Sequence, residues 1–553
     1  MKLRKFKIVA AMLTLVGFTA CDNFLNVLPD QRVVLDSRDK IHRLLASAYP
    51  DASHWMLAEF ASDNTDMNGG EFQRFDPLGN LEDDAFFWRV PNHLAQDSPH
   101  ILWNSLYSAI AASNHALEAI ELLESRGYHY CLNHQRGEAL ITRAYGHFLL
   151  VNLFSQHFSP IHSNTDLGIP FIDAPERTVN PQYDRRTVAY VYARIEQDIL
   201  AGINLLDDTQ LTVAAYRFNR QAAAAFAARF FLFKGDWERV DYFATRALEG
   251  RSLRNWEAAA AENNVTARGN NFIYARDQAN LLLRPTHSHW SIVHGPFGVG
   301  NQFSHNSRIS RTETNHSAGP WGNSDAVFFY RAFTYGIVIP NYIMVKFTQF
   351  FEFTDAIAGI GFRRLVHADF TTDETLLMRA EARAMMGEFD AAVADINIFL
   401  SAFARPAGRN LTLQRIVEFY SGLDYYTPYI PTPKKELNPD FDLQPGTQTY
   451  LIHCILHLRR ILTMHEGLRW FDVKRWGIQI YRREITGGGA ALRTVVLDVL
   501  PPRDPRRAFQ IPDAVIGAGL VPNPRPDVVN LREHLQHIEH VDVPVPPVTE
   551  ELN

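Results

Sequence analysis

The residues of this chain that can do chemistry are flat aromatics set beside acids and amides in irregular stretches. Trp88, Trp290, Trp321, Tyr330 and Tyr335 lie in or beside segments without helical period. An exposed aromatic face stacks on a sugar ring and buries area at little cost in side-chain entropy. Asp63, Asp66 and Asn68 fall in the polar run DNTDMNGG, residues 63–70, and can satisfy sugar hydroxyls. All eight are candidate ligand-binding residues. The competing reading is a core position for each aromatic, and for the polar run a turn that caps a helix. A peptide ligand would ask instead for backbone partners and shallow pockets.

Catalytic signatures are absent from the sequence: no Gly-x-Ser-x-Gly, His-Glu-x-x-His, Walker A loop or dinucleotide fingerprint follows a strand pattern. His465-Glu466 lacks the second histidine. No catalytic residue and no cofactor is therefore expected. Paired carboxylates for glycoside hydrolysis are defined by a separation in space, so a lipid-anchored surface hydrolase stands as a rival. His287, His289, His294, His305 and His316 have uneven spacings and read as hydrogen-bonding loop residues rather than metal ligands. Residues 63–70 lack the positions of a calcium-binding EF-hand loop. Cys131 and Cys454, far apart in the chain, are expected as buried free thiols.

The chain's first 20 residues are cationic and then apolar over residues 8–15, a run too short to span a membrane and shaped like an export signal. Gly17-Phe18-Thr19-Ala20-Cys21 follows, and resembles a bacterial lipobox with Cys21 as the lipidated first residue; Phe18 departs from the usual leucine. Acyl chains with several tens of methylenes, at about 0.8 kcal/mol each, make such an anchor effectively permanent. Loss of Lys2, Arg4, Lys5 and Lys7 with the signal takes the formal charge from -7 to -11, which excludes nucleic acid as a partner. With 553 residues, 46% hydrophobic and 21% charged, the chain has ample material for a core in more than one domain.

What must position these residues is a set of helical hairpins. Over residues 371–400, Thr371 and Glu374 have capping-box spacing, Leu377, Ala380 and Ala384 share a face, Gly387 stands at a C-cap, and Phe389, Val393, Ile396 and Leu400 form a second stripe. Residues 227–244 repeat the order, with Ala228, Gly235 and Trp237 over Ala380, Gly387 and Phe389. This resembles the turn of a tetratricopeptide hairpin. Two long stretches, residues 270–331 and 421–448, lack helical period, and the first is expected to supply the binding surface.

Ordered landmarks along the chain resemble the SusD/RagB family of nutrient-binding outer-membrane lipoproteins. They start at Cys-Asp-Asn-Phe-Leu-Asn from Cys21 and continue through Trp103-Asn104-Ser105-Leu106-Tyr107, Arg143-Ala144-Tyr145, Gly168-Ile169-Pro170 and the two hairpins. Most specific is the helix with Glu466, Gly467, Arg469, Asp472, Arg475, Trp476 and Gly477, where Arg469 and Asp472 are three apart and can pair. Ser155 and Asn219-Arg220 depart from the family's usual residues, and residues 522–553 add a proline-rich tail.

The resemblance implies a mostly α fold, a tetratricopeptide-like scaffold of about eight helices in four pairs packed against an irregular, loop-rich region. It implies a signal in residues 1–20, an N-terminal region in 21–250 and a C-terminal region with binding loops in 251–553. It also implies a surface lipoprotein of the outer membrane that captures an oligosaccharide or peptide for a SusC/RagA-like TonB-dependent transporter, without catalysis. A tetratricopeptide-like adaptor that binds only proteins is a further reading. No matched motif is a ligand-contact motif, so no binding residue carries over by resemblance.

Overall fold

The computed structural model describes residues 34–69, 80–91, 93–178, 181–293, 302–336, 339–487 and 492–525. Residues 1–20, Cys21, Gly70, His294 and the tail from 526 onward lie outside the described residues. The principal helices are α1 (Pro99–Ser125), α2 (Asn133–Phe154), α3 (Val188–Gly202), α4 (Arg220–Lys234), α5 (Trp237–Leu248), α6 (Thr372–Met385), α7 (Phe389–Phe403), α8 (Leu413–Ser421), α9 (Thr447–Leu462) and α10 (Leu468–Arg475). Four pairs form, α1 with α2, α4 with α5, α6 with α7 and α8 with α9, while α3 packs on α2. Among the described residues no helix is long and apolar enough to cross a membrane.

Both hairpins form where the sequence places them. Thr371 Oγ1 accepts from the Glu374 N–H at 3.3 Å to start α6, and Asn219 Oδ1 accepts from Gln221 and Ala222 to start α4. Gly387 at φ +81° and Gly235 at φ +78° end the first helix of each hairpin in the left-handed conformation that side chains resist. Across each turn, buried alanines let the partner helix approach: Ala380 and Ala384 face the stripe of Ile396 and Leu400, all fully buried. The two hairpins, far apart in sequence, stack through α5 and α6. Arg383 pairs with Asp241 at 2.7 Å and Arg379 donates to Thr245 across that seam. Gly137 and Gly202 bring α2 and α3 equally close, since a Cβ on either would lie within 3 Å of the other's carbonyl oxygen.

The remainder is built on two small sheets of four and three strands, with two further two-stranded ribbons among the described residues. Strands are β1 (Asp66–Asn68), β2 (Asn280–His287), β3 (Phe303–Ser304), β4 (Phe350–Asp355), β5 (Ile360–Thr371), β6 (Ile480–Thr486) and β7 (Arg493–Leu500). One sheet has the order β7-β6-β1-β3, parallel only between β6 and β1, and the other is the antiparallel β2-β5-β4. Residues 270–331 are thus less irregular than their lack of period suggests. They supply β2, β3 and a short helix at Ser307–Glu313, and much of their described length is buried.

Helix α10 locks the halves together with charge. Arg475 donates to Glu381 at 2.8 Å and to Asp472 at 2.8 Å, and Arg459 of α9 adds a bond to Asp472 at 3.2 Å. Arg469 does not pair with Asp472. It turns to the segment after the helix Trp55–Ala61 and grips Asp63 with two bonds of 2.7 and 2.9 Å. Asp472 takes Arg475, one turn later on the same helix, because Arg459 and Glu381 already stand on that side. Buried ions survive only in such closed sets, where each charge has partners that replace water. Cys454 is buried and free; Cys131 is also free but exposed, against expectation, because its loop between α1 and α2 packs on little.

Candidate functional site

Seven of the eight candidate ligand residues are interior. Trp88, Trp290 and Trp321 are 4%, 1% and 1% exposed, so no face is left to stack on a sugar. Their indole N–H groups donate to Ala61 O, His465 O and Ser324 Oγ, at 2.9, 2.9 and 3.0 Å. Tyr330 is buried with its hydroxyl on Val345 O. Asp66 is held by both nitrogens of an Arg483 fork at 2.9 Å, and Asn68 donates to Ser304 and accepts from Asn306. Burial works to raise the Asp63 carboxyl, but Arg460, Arg469 and Lys435 outweigh it and hold the group well below the carboxylate range. The polar run is therefore an internal charge lock. Only Tyr335, half-buried in the short strand Phe333–Tyr335, keeps an accessible ring.

Among the described residues the candidate histidines do not converge. His305 donates from Nδ1 to Asn64 O at 2.9 Å and its Nε2 meets Thr314 at 2.8 Å, while burial pulls its pKa down to about 4. His289 lies beside Asp97, His287 beside Asp51 and Glu352, and His316 beside Asp325. A different trio, His42, His134 and Glu138, does bring its ligand atoms within 4.8 Å. It suits an ion-pair cluster better than a cation. Arg217 grips Glu138, and His134 Nδ1 accepts the Asp207 N–H at 3.1 Å, which puts the ring proton on Nε2.

Ser53, His367 and Asp369 have the spacing of a hydrolytic triad, with 2.9 Å from Ser53 Oγ to Nε2 and 3.3 Å from Nδ1 to Asp369. It departs from a triad in its third member: Asp369 is taken up by the Arg284 guanidinium, with bonds of 2.5 and 3.3 Å, and Arg284 also stands 3.2 Å from the same Nδ1. All three residues are buried, and the Trp55 ring covers the imidazole at 3.7 Å.

An open cleft of about 580 Å³ lies elsewhere, along one flank of α1. Trp103, Tyr107, Ala111 and His115 recur every four residues on that flank, and Asn104 and Ser108 stand beside them. The facing wall is the chain after α2, held by side chains of the first hairpin. Tyr107 donates to Pro170 O at 2.8 Å, Asn114 donates to Ile172 O at 3.0 Å, and His147 accepts the Ile172 N–H at 3.0 Å. Gln182 and Tyr183, and the short helix Asp513–Gly517 with Leu520, complete the lining, and Gln182 abuts Gly519. Arg185 joins these segments by donating to Gly168 O and to Val521 O.

The cleft's chemistry is aromatic and hydrogen-bonding. Tyr183 is 37% exposed and donates its hydroxyl to Glu176 at 2.6 Å; burial, then that bond, push the phenol above its ordinary range. Asn104, Ser108, His115 and Gln182 are exposed. The Trp103 indole N–H has no acceptor among the described residues, although the ring is 5% exposed. One accessible ring, apolar walls and several exposed polar groups, with Asn104 donating to His100 Nε2 at 3.0 Å, are what a neutral, hydroxyl-rich ligand asks for. None of these residues was a candidate from sequence. The four-residue repeat on α1 was the available signal, and it reads equally as a core stripe.

Residues 23–232 match a family model, SusD-like, with the description "Starch-binding associating with outer membrane". No curated relative matches the chain. Solved structures share the fold along most of its length. A SusD superfamily protein from Bacteroides thetaiotaomicron is 17% identical, with 89% of this chain and 100% of that one covered at a TM-score of 0.59. A SusD superfamily protein from Bacteroides vulgatus is 16% identical, covering 89% and 99% at 0.58. A SusD-like carbohydrate binding protein from the same species is 13% identical, covering 87% and 96% at 0.57. The chain thus matches the SusD-like family model over residues 23–232 and shares the fold of SusD superfamily structures along most of its length.

Proposed function

We propose that this protein is a surface lipoprotein that captures an oligosaccharide in the α1 cleft and delivers it to a TonB-dependent transporter in the outer membrane. The observation that carries this is the cleft itself, where the Tyr183 ring faces open space beside Asn104, His115 and Gln182. The family description and the carbohydrate-binding structural neighbour support the ligand class. The donor set favours capture over turnover: Glu176 is the one carboxylate among the described lining residues, and glycoside hydrolysis uses two. Anchoring rests on Cys21, whose lipidation would hold the protein at the membrane.

Two experiments test the reading. Calorimetric titration with a panel of oligosaccharides and peptides should give saturable binding to the former, and binding confined to peptides would overturn the ligand class. Purification of the protein from native membranes should bring a large β-barrel with it. Recovery of a lone lipoprotein would overturn the transporter partnership.

A further inference from the structure

Strands β4 and β5 leave the body of the protein as an exposed hairpin. Residues 350–360 are exposed without a break, and their apolar side chains are as open as their polar ones: Phe353 is 58% exposed, Ile360 62%, and Ile357 at the tip fully. β4 is also a sheet edge, with one side of its backbone unpaired by any strand among the described residues. A patch of this kind on a folded protein marks a surface that something else covers.

The pattern of the hairpin selects what covers it. In its register Phe350 stands opposite Arg364 and Glu352 opposite Phe362, so Phe350 and Phe362 share one face. Phe351 and Phe353, with ring centroids 4.8 Å apart, share the other. A strand that lies on a flat protein partner needs one apolar face, whereas a hairpin apolar on both faces and at its tip asks for a medium that surrounds it. Residues 356–362 carry no charged side chain. Asp355 Oδ1 accepts from the Ile357 and Ala358 N–H groups at 2.9 and 3.0 Å, so these donors of the turn are bonded within the chain. The cations stand at the root: Arg364 pairs with Glu352 at 2.8 Å and Arg363 lies on the opposite face, where both can meet phosphate headgroups.

A lipid anchor at Cys21 can reach the same membrane. Gln96, before α1 begins, donates to Arg363 O at the hairpin root, and Arg38, near the first described residue, donates its N–H to Tyr128, beyond the end of α1. The 27 residues of α1 set these two places about 40 Å apart. Cys21 precedes Val34 by 13 residues, a tether that spans at most about 45 Å.

We propose that the β4–β5 hairpin inserts its tip and its phenylalanines into the interfacial layer of a lipid bilayer, as a second point of membrane contact beside the Cys21 anchor. The proposal rests on the lipoprotein reading for the anchor alone; insertion belongs to the hairpin. Its rings would sit at headgroup level, where aromatic side chains gather, with Ile357 and Ile360 below them.

The test places an environment-sensitive fluorophore on Ile357→Cys in the full chain, with Cys131→Ser removing the other exposed thiol; Cys454 is buried. One sample keeps its anchor, purified from native membranes, and a second carries Cys21→Ser. Vesicles of phosphatidylethanolamine and phosphatidylglycerol should shift the emission of both to the blue, and doxyl-labelled lipid should quench it. The anchored sample should need at least about 100-fold less lipid. Phe351→Ser with Phe353→Ser should raise the lipid needed by the Cys21→Ser chain about tenfold or more, with the thermal midpoint unchanged because both rings face solvent. A probe that stays in water in both samples would overturn the proposal, as would one shielded only in native membranes and crosslinked there to a protein. Equal lipid requirements in the two samples would sink the anchor alone, and vesicle binding through the anchor with the probe still in water would sink the hairpin alone.

Discussion

Tyr183 and Trp290 look alike in sequence, each an aromatic in a stretch without period, yet one is 37% exposed and the other 1%. Substituting them should separate binding from folding. Tyr183→Ala should raise the dissociation constant for oligosaccharide about tenfold, roughly 1.4 kcal/mol, with the unfolding midpoint unchanged. Trp290→Ala and Trp321→Ala should instead lose about 3–5 kcal/mol in urea unfolding, the cost of a large cavity and an orphaned backbone or hydroxyl acceptor. A stable Trp290→Ala protein with weakened binding would reverse that assignment. Asp63→Asn should cost a further 3–5 kcal/mol or so, since it leaves Arg460, Arg469 and Lys435 facing one another in the interior. The sequence could not make these distinctions. A missing helical period says that a segment is irregular, not that it is outside, and a buried tryptophan needs only one acceptor for its N–H. Asp63, Asp66 and Asn68 look like a solvated loop until Arg469, Arg483 and Ser304, all remote in sequence, are brought to them.

The hairpins were legible because their signals are local: a capping threonine, small residues one turn apart and a glycine where the backbone turns left-handed. Gly387→Ala isolates the last of these. A Cβ there meets nothing within 4 Å, so the loss expected in chemical unfolding, about 1–2 kcal/mol, is backbone strain alone. Gly146→Ala in α2 should cost a similar amount for a different reason, since its Cβ would lie 2.8 Å from Ile110 Cγ1 of α1. No loss in Gly387→Ala would mean that the turn does not need the left-handed geometry. What local signals could not reveal is the stacking of α5 on α6, which joins hairpins separated by more than a hundred residues. The partner of Arg469 was missed for the same reason: spacing along one helix allows Asp472, but a long-range carboxylate won. The cleft was hidden too. Trp103, Tyr107, Ala111 and His115 show a helix face, and whether that face meets another helix or open space depends on where the chain after α2 and the segment near Leu520 come to rest.

The whole molecule buries several histidines as neutral rings. Burial pulls His147 and His457 down to about 3 and His367 to about 4, against an ordinary value of 6.5. Their folded values lie below the unfolded ones, so the unfolded chain binds more protons as pH falls from 6.5 toward 4. Stability is therefore full above pH 6.5 and declines through that window, by about 2 kcal/mol per histidine at pH 5. Thermal unfolding should show a midpoint that drops between pH 7.5 and pH 5, and a flat profile would contradict the neutral assignments. The proposed capture rests on one surface of this scaffold, the α1 cleft. Titration calorimetry of oligosaccharides against the unsubstituted protein, Tyr183→Ala and Asn104→Ala is the decisive measurement. Saturable binding that each substitution weakens by about tenfold, with thermal midpoints unchanged, is the predicted result. Equal affinity in all three proteins would place the ligand elsewhere and contradict the assignment of the cleft.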